Sequence, residues 1–174
     1  IFDTNWTTLP ALATGNGLGP TLLGVSTDMV TILYADLTLN LSANTLTAIA
    51  ADGSTMTVNA ATPITGVGGI KAGDLIMFSN ALGNAMQYVT TTPSTQTVSF
   101  ASGDPMRLNQ RTVPQGSLMN LQSSPGVFPP TTATRINMVT YYIDTTTDST
   151  LPRLVRRVNM GSNLAIAMGV ENLQ

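Results

Sequence analysis

The side chains of this sequence that could carry out chemistry are mainly carboxylates, because the 174-residue chain contains no histidine and no cysteine. Without imidazole there is no Ser-His-Asp triad and no His-ligated metal. Without thiol there is no Cys-based zinc site, thiol nucleophile or disulfide. Carboxylate-only chemistry stays open, and Asp74 with Glu171 is the candidate acid–base pair, but no spacing brings the two together. We therefore predict no catalytic residue and no enzyme activity.

A second group of oxygen-bearing side chains lies in the segment from Asp144 to Thr150, where Asp144 and Asp148 flank a run of threonines. Such a segment could offer ligands to Ca²⁺. That ion takes about 6–8 oxygens, however, and the D-x-D-x-D-G pattern of a calcium loop is absent. We interpret the segment as a solvated hairpin tip and predict neither a metal nor a cofactor.

A glycine-rich stretch surrounds Lys71, with Gly68 and Gly69 before it and Gly73 after it. A phosphate-binding loop would need a preceding strand and a Gly-Lys-Ser/Thr sequence that opens a helix. Here an apolar, strand-like run follows instead. The stretch therefore predicts a structural turn.

Charged residues make up only 9% of the chain, against about 25% in typical proteins. Seven Lys and Arg residues cannot neutralise many phosphates, so nucleic-acid binding is not predicted. Arg153 and Arg157 would share one face of a strand and Arg156 the other, which argues against a single basic patch. We expect these arginines to pair with Asp28, Asp36 or Glu171.

The charges are also divided unevenly along the chain. The first hundred residues carry Lys71 and five Asp, whereas the remainder carries six Arg, three Asp and Glu171. The two parts are mildly opposite in sign. An acidic surface of one molecule could therefore face a basic surface of a copy or neighbour.

The hydropathy pattern predicts a mainly β fold, with antiparallel sheets, long irregular loops and one short helical turn near residues 162–168, capped by Ser162. Breakers in residues 1–27 predict an extended lead-in, and residues 28–174 a single domain. An Asp52-Gly53 pair between alternating runs predicts a hairpin. The predicted strands are 28–34, 37–41, 45–50, 55–59, 75–79, 85–92, 95–100, 118–121, 135–143, 151–160 and a last one beginning at 170.

Three aromatic residues could be surface ligands or core. Tyr141 and Tyr142 are adjacent in a predicted central strand and would point to opposite faces, which favours packing over stacking on a sugar or base. Trp6 lies in the lead-in, where its burial would hold that segment against the domain.

Five segments, taken in order, resemble the PilW family of type IV pilus minor pilins. None is a catalytic signature, and the order and spacing carry the likeness. The segments are Thr27–Tyr34 (TDMVTILY), Gly73–Ile76 (GDLI), Val139–Ile143 (VTYYI), Leu151–Leu154 (LPRL) and Leu164–Gln174 (LAIAMGVENLQ).

The resemblance implies a β-rich head domain similar to the J-type minor pseudopilin of type II secretion. It also implies an N-terminal prepilin leader and a hydrophobic helix, neither of which is in this sequence, and a final strand after Gln174. Other minor pilins and pilus subunits would be the partners. The location would be the extracellular pilus, with the head in the periplasm and the helix in the inner membrane before assembly.

A second interpretation remains open. A secreted or virion-type β module that binds a glycan or another surface would suit the low-charge, threonine-rich composition equally well. A carboxylate-dependent hydrolase is the third and weakest hypothesis.

Overall fold

The computed structural model describes residues 10–112, 117–148, 150–171 and 173. The chain forms two compact units: a terminal unit from residues 1–34 and 137–174, and a central unit from residues 35–136. The strands are β1 (Leu12–Gly15), β2 (Thr21–Leu22), β3 (Val25–Ser26), β4 (Met29–Ala35), β5 (Ala48–Ile49), β6 (Thr55–Thr57), β7 (Leu75–Asn80), β8 (Gly83–Tyr88), β9 (Thr97–Ser99), β10 (Thr132–Asp144), β11 (Arg153–Val158) and β12 (Leu164–Met168). The predicted mainly β, antiparallel fold is confirmed.

The terminal unit is built on the strand order β1-β4-β10-β11-β12. Strand β10 is rich in β-branched and aromatic residues, as predicted, and lies between two neighbours. Its consecutive residues Met138, Val139 and Thr140 are all buried, so both of its faces are covered. Strand β11 returns antiparallel to it, with Asp144 opposite Arg153. The predicted hairpin around residues 144–150 is therefore confirmed.

The predicted lead-in contains three short strands. Strand β1 pairs antiparallel with β4, from Leu12 opposite Ile32 to Gly15 opposite Met29, and β2 and β3 form a two-residue hairpin. The glycines and prolines keep these strands short but do not prevent their pairing. The boundary predicted at residue 27 lies within the terminal unit, and the single domain predicted over residues 28–174 stays a prediction.

The central unit contains the antiparallel sheet β5-β6-β9 and the β7–β8 hairpin, to which β10 contributes Thr132–Ile136. Its core is apolar and includes Phe78 and Phe100, whose rings meet edge to face with centroids 5.6 Å apart. The other fully enclosed members include Leu41, Met56, Ile64, Ile76, Leu118 and Leu121. This core lies within residues 39–133.

The Asp52-Gly53 turn is confirmed, although its strands are shorter than predicted. Ala48 lies opposite Thr57 across the β5–β6 pair. Gly53 has a φ of +69°, which glycine adopts without steric cost. The Asp52 carboxylate accepts a hydrogen bond of 2.9 Å from the N–H of Ser54, and this closes the turn.

The strand predicted over residues 37–41 is wrong. The Asp36 carboxylate accepts hydrogen bonds from both the N–H and the hydroxyl of Thr38, at 3.0 and 2.6 Å, and this turns the chain directly after β4. Leu39 and Leu41 are nevertheless buried in the core. The alternating pattern thus predicts correctly which side chains are buried. It does not predict a strand here, because the backbone hydrogen bonds form with nearby residues instead of with a neighbouring strand.

The strand predicted at residues 118–121 is a 3-10 turn, Leu118–Leu121. The Ser117 hydroxyl accepts a hydrogen bond from the N–H of Met119 at 3.2 Å and caps the turn. Leu118 and Leu121 are both buried. A spacing of three residues matches the three-residue period of a 3-10 turn, so one face enters the core.

The helical turn predicted near residues 162–168 is also wrong, because Leu164–Met168 forms β12 against β11. A segment this short does not nucleate a helix in water, and β11 offers it a row of backbone partners. The N–H groups of Gly169 and Val170 then donate to the carbonyl of Pro152 and end the strand. Val170, Glu171 and Leu173 lie outside any strand, so the strand predicted from residue 170 does not occur in the described part of that segment.

Candidate functional site

The central unit contains a buried ionic cluster around Arg135, a residue of β10 that is only 7% exposed. Its Nη2 lies 2.8 Å from Oδ2 of Asp36, and its Nη1 lies 3.6 Å from Oδ2 of Asp74. Nη2 also donates to the Thr38 hydroxyl at 3.1 Å. Two carboxylates from different segments thus compensate one buried cation.

The glycine-rich loop completes this cluster. The Nη1 of Arg135 donates to the carbonyl oxygens of Gly68 and Gly69 at 3.0 and 2.9 Å. A phosphate cradle presents N–H groups to its anion, whereas this loop presents carbonyl oxygens to a cation. The geometry therefore supports the structural-turn interpretation, with the loop acting as part of the Arg135 binding site.

The two carboxylates of the cluster differ in acidity. Hydrogen bonds from the Thr38 hydroxyl and N–H, with Arg135 adding to them, hold the pKa of Asp36 below its ordinary value. Burial raises the pKa of Asp74, against the opposing effects of the Lys71 N–H and Arg135. Asp74 thus pairs with the Arg135 guanidinium, but the burial of its carboxylate disfavours the charged form. Glu171, its candidate partner in acid–base chemistry, belongs to the terminal unit.

The threonine-rich tip of the terminal unit uses its carboxylates locally. Asp144 accepts hydrogen bonds from the N–H and hydroxyl of Thr146, at 2.9 and 2.6 Å, and from the hydroxyl of Thr147 at 3.1 Å. These hydroxyls, with Arg153, hold the pKa of Asp144 well below its usual range. Asp148 accepts in the same way from the N–H and hydroxyl of Thr150, at 2.8 and 2.7 Å.

Arg153 and Arg157 of β11 have different partners from those predicted. Arg153 pairs with Asp144, its cross-strand neighbour, at 2.5 Å. The guanidinium of Arg157 lies over the ring of Tyr142, 5.7 Å from its centroid. Asp36, one of the predicted partners, pairs with Arg135 instead. Cross-strand register brings Arg153 to Asp144, because the two residues lie opposite each other across β10 and β11.

The two adjacent tyrosines lie partly exposed on β10. Tyr141 and Tyr142 are adjacent in β10 and both are only partly buried. The Tyr142 hydroxyl donates to Oδ1 of Asn163 at 2.9 Å, which ties β10 to the segment before β12. Trp6 lies outside the described residues.

Metal-binding clusters and membrane-spanning helices are both absent from residues 10–112, 117–148, 150–171 and 173. Among them no three carboxylates come together in a way that could hold a metal ion. No helix in these ranges has the length and apolar character that crossing a bilayer requires.

The candidate functional surface is the edge strand β12. Leu164, Ile166 and Met168 are 60%, 51% and 56% exposed, although they belong to a strand. In the described part of the chain β12 pairs with β11 alone. The sequence does contain the signal, since large apolar residues alternate with Ala165 and Ala167. The competing helical spacing of residues 164, 167 and 168 concealed it.

Comparisons with protein-family models, with curated protein sequences and with solved structures give no match to this chain. What the protein does is therefore inferred from its residues and their geometry.

Proposed function

We propose that this chain is the head domain of a type IV pilus minor pilin of the PilW kind. It acts as a structural subunit that packs against other pilus subunits in an initiating or tip complex, and it catalyses no reaction. Its location is the extracellular pilus, with the head in the periplasm before assembly.

The supporting observation is where the segments of resemblance lie in the fold. The segment 27–34 leads into and forms most of β4, and Val139–Ile143 lies in β10. The segments 151–154 and 164–168 enter β11 and form β12. The last three segments are therefore consecutive strands of one antiparallel meander, which ends in the exposed apolar strand β12.

The pairing of charged side chains within each unit also supports a role in packing against other subunits. Arg135 forms ion pairs with Asp36 and Asp74 inside the central unit, and Arg153 forms one with Asp144 in the terminal unit. Surfaces that carry few free charges lose little hydration energy when they are covered by a neighbour. An assembly subunit benefits from such faces.

Co-purification from the native host tests the proposal. The complete gene product, tagged at its C-terminus, is cross-linked in intact cells and isolated from the membrane fraction. We expect other minor pilins among the captured proteins and fewer surface pili in a strain that lacks the gene. The residues encoded before Ile1 should include a prepilin leader that ends in Gly, followed by Phe and by Glu at the fifth mature position.

A matched pair of variants sharpens the test. Leu164→Lys alters β12, whereas Leu37→Lys changes an exposed leucine (79%) in the central unit. We expect the first variant to capture less of the pilin partners and the second to behave like the unmodified protein. Unchanged piliation in the deletion strain, together with capture of glycans or no pilins, would overturn the proposal and favour a glycan-binding β module.

A further inference from the structure

The sequence of β12 is nearly palindromic. Leu164-Ala165-Ile166-Ala167-Met168 has a large apolar residue at each end, alanine on either side of the centre, and Ile166 at the centre. All of these side chains except that of Ala167 are exposed. The strand is at the end of its sheet order.

A palindromic edge strand is complementary to itself in the antiparallel direction. With Ile166 at the centre, Leu164 would face the second copy's Met168, and Ala165 would face the second copy's Ala167. Ile166 would face its own counterpart across a two-fold axis. Cross-strand pairs of large apolar residues stabilise such a ladder, and alanines opposite each other leave room for them.

We propose that two copies of this chain associate through their β12 strands, paired antiparallel about a two-fold axis at Ile166. This is an isologous contact, in which one surface serves both copies and closes on itself. The proposal does not depend on the proposed pilus function, since it follows from the sequence and exposure of β12 alone.

The electrostatics of the terminal unit permit this contact. Natural edge strands often carry Lys, Pro, inward-pointing charges or a β-bulge that hinder edge-to-edge pairing. Strand β12 has no charged residue and no proline, and of these devices it carries the bulge at Ile166. Two cations of β11 lie opposite β12: Arg153, which is paired with Asp144 at 2.5 Å, lies opposite Met168, and Arg156 lies opposite Leu164. The chain as a whole has a net charge of only −2. Two copies therefore repel each other weakly.

The irregularity of the β11–β12 pair also centres on Ile166. The register shifts between Leu154 and Val155, so that Ala167 and Ala165 have opposing residues on β11 and Ile166 has none. Such a bulge leaves the extra residue unpaired within its own sheet. In the proposed dimer that residue gains its opposing partner from the second copy.

Single cysteines test the register, because the chain has no cysteine of its own. Opposed residues of an antiparallel pair have Cα atoms about 4.5–5.5 Å apart, which suits a disulfide. Under mild oxidation, Ile166→Cys should form a covalent dimer in high yield. Ala165→Cys alone should form little, whereas a mixture of Ala165→Cys and Ala167→Cys chains should form the mixed disulfide.

Sedimentation equilibrium of the whole chain tests the association itself. A five-residue edge buries far less than the ~1,600 Å² of a standard interface, so we expect a dimer fraction that rises with protein concentration. Ile166→Lys should remain monomeric at every concentration, while Leu37→Lys should dimerise normally. Circular dichroism checks that both variants are folded.

Several results would overturn the proposal. A chain that stays monomeric at all concentrations and gives no Ile166→Cys dimer lacks the contact. A dimer that survives Ile166→Lys uses a different surface. Efficient self-cross-linking of Ala165→Cys, with little mixed disulfide, would mean that the strands pair in another register or direction.

Discussion

Arg135 and Asp36 are joined twice, by an ion pair of 2.8 Å between their side chains and by a backbone hydrogen bond of 2.8 Å from the N–H of Asp36 to the carbonyl of Arg135. They lie near the two ends of the segment that forms the central unit. The same guanidinium contacts Asp74 and the carbonyls of Gly68 and Gly69. One side chain therefore connects the ends of the segment to a loop in its interior.

Replacing this cation should be costly. We expect Arg135→Met to lower the free energy of unfolding by about 3–5 kcal/mol, because two poorly solvated carboxylates lose their partner. Urea denaturation, followed by circular dichroism, measures the change. The control is Arg156→Met on β11, a half-buried arginine, for which we expect a loss below about 1 kcal/mol. Equal losses in the two variants would contradict this role of Arg135.

The two carboxylates beside Arg135 should give opposite pH dependences. The lowered pKa of Asp36 contributes stability that is present above about pH 4 and is lost as the pH falls through the folded value. The raised pKa of Asp74 contributes stability that is present below about pH 4 and is lost as the pH rises through the folded value.

The corresponding measurement uses Asp36→Asn and Asp74→Asn. On acidification below about pH 4, the advantage of the unmodified chain over Asp36→Asn should shrink. On acidification toward about pH 4, its stability relative to Asp74→Asn should rise. Urea midpoints at several pH values give both slopes, and slopes of the same sign would contradict the assignment.

Much of the sheet could be predicted from local pattern, and the reason is visible in β10. Its residues are β-branched or aromatic on both faces, which is typical of a strand with neighbours on each side, and β4 and β11 are those neighbours. Residues 37–41 have the same alternation, and Leu39 and Leu41 are indeed buried. Alternation indicates which side chains are covered, but it does not show whether a neighbouring strand is available.

The ionic cluster could not be predicted because its members are distant in sequence. Arg135 meets Asp36, Asp74 and the Gly68–Gly69 carbonyls only after the central unit has folded. The edge strand β12, in contrast, could have been predicted from the sequence. Its five residues satisfy both a period-2 and a helical spacing, and the partner strand β11 decided between them.

Gly69 should tolerate no side chain. A Cβ at this position would lie 2.4 Å from the carbonyl oxygen of Ile64, which is a backbone atom that cannot move aside cheaply. We expect Gly69→Ala to destabilise the protein by more than Gly68→Ala. Gly68 has open space around its Cβ position but a φ of +76°, so its substitution should cost about 1–2 kcal/mol. Thermal denaturation of the two variants provides the comparison, and a smaller loss for Gly69→Ala would refute the steric argument.

The hydroxyls of Thr31 and Thr140 should show strong coupling. They are hydrogen-bonded at 3.0 Å, and the two residues are 1% and 0% exposed. Either single Thr→Val change leaves one buried hydroxyl without this partner, and we expect a loss of about 1–3 kcal/mol. The double variant should lose less than the sum of the two, because no orphaned hydroxyl remains. A double-mutant cycle with additive losses would argue against the contact.

The division of the chain has a consequence for how it folds during synthesis. The central unit is one uninterrupted segment, so all of its residues are synthesised before the last part of the terminal unit. The terminal unit is made of segments on both sides of the central unit, and β4 can pair with β10 only after β10 has been made. We therefore expect the central unit to fold first on the nascent chain. The ion pair between Arg135 and Asp36 would then hold the two ends of the folded central unit together. The loop between β4 and β10 would be shorter in effect, so their pairing in the last step would cost less entropy.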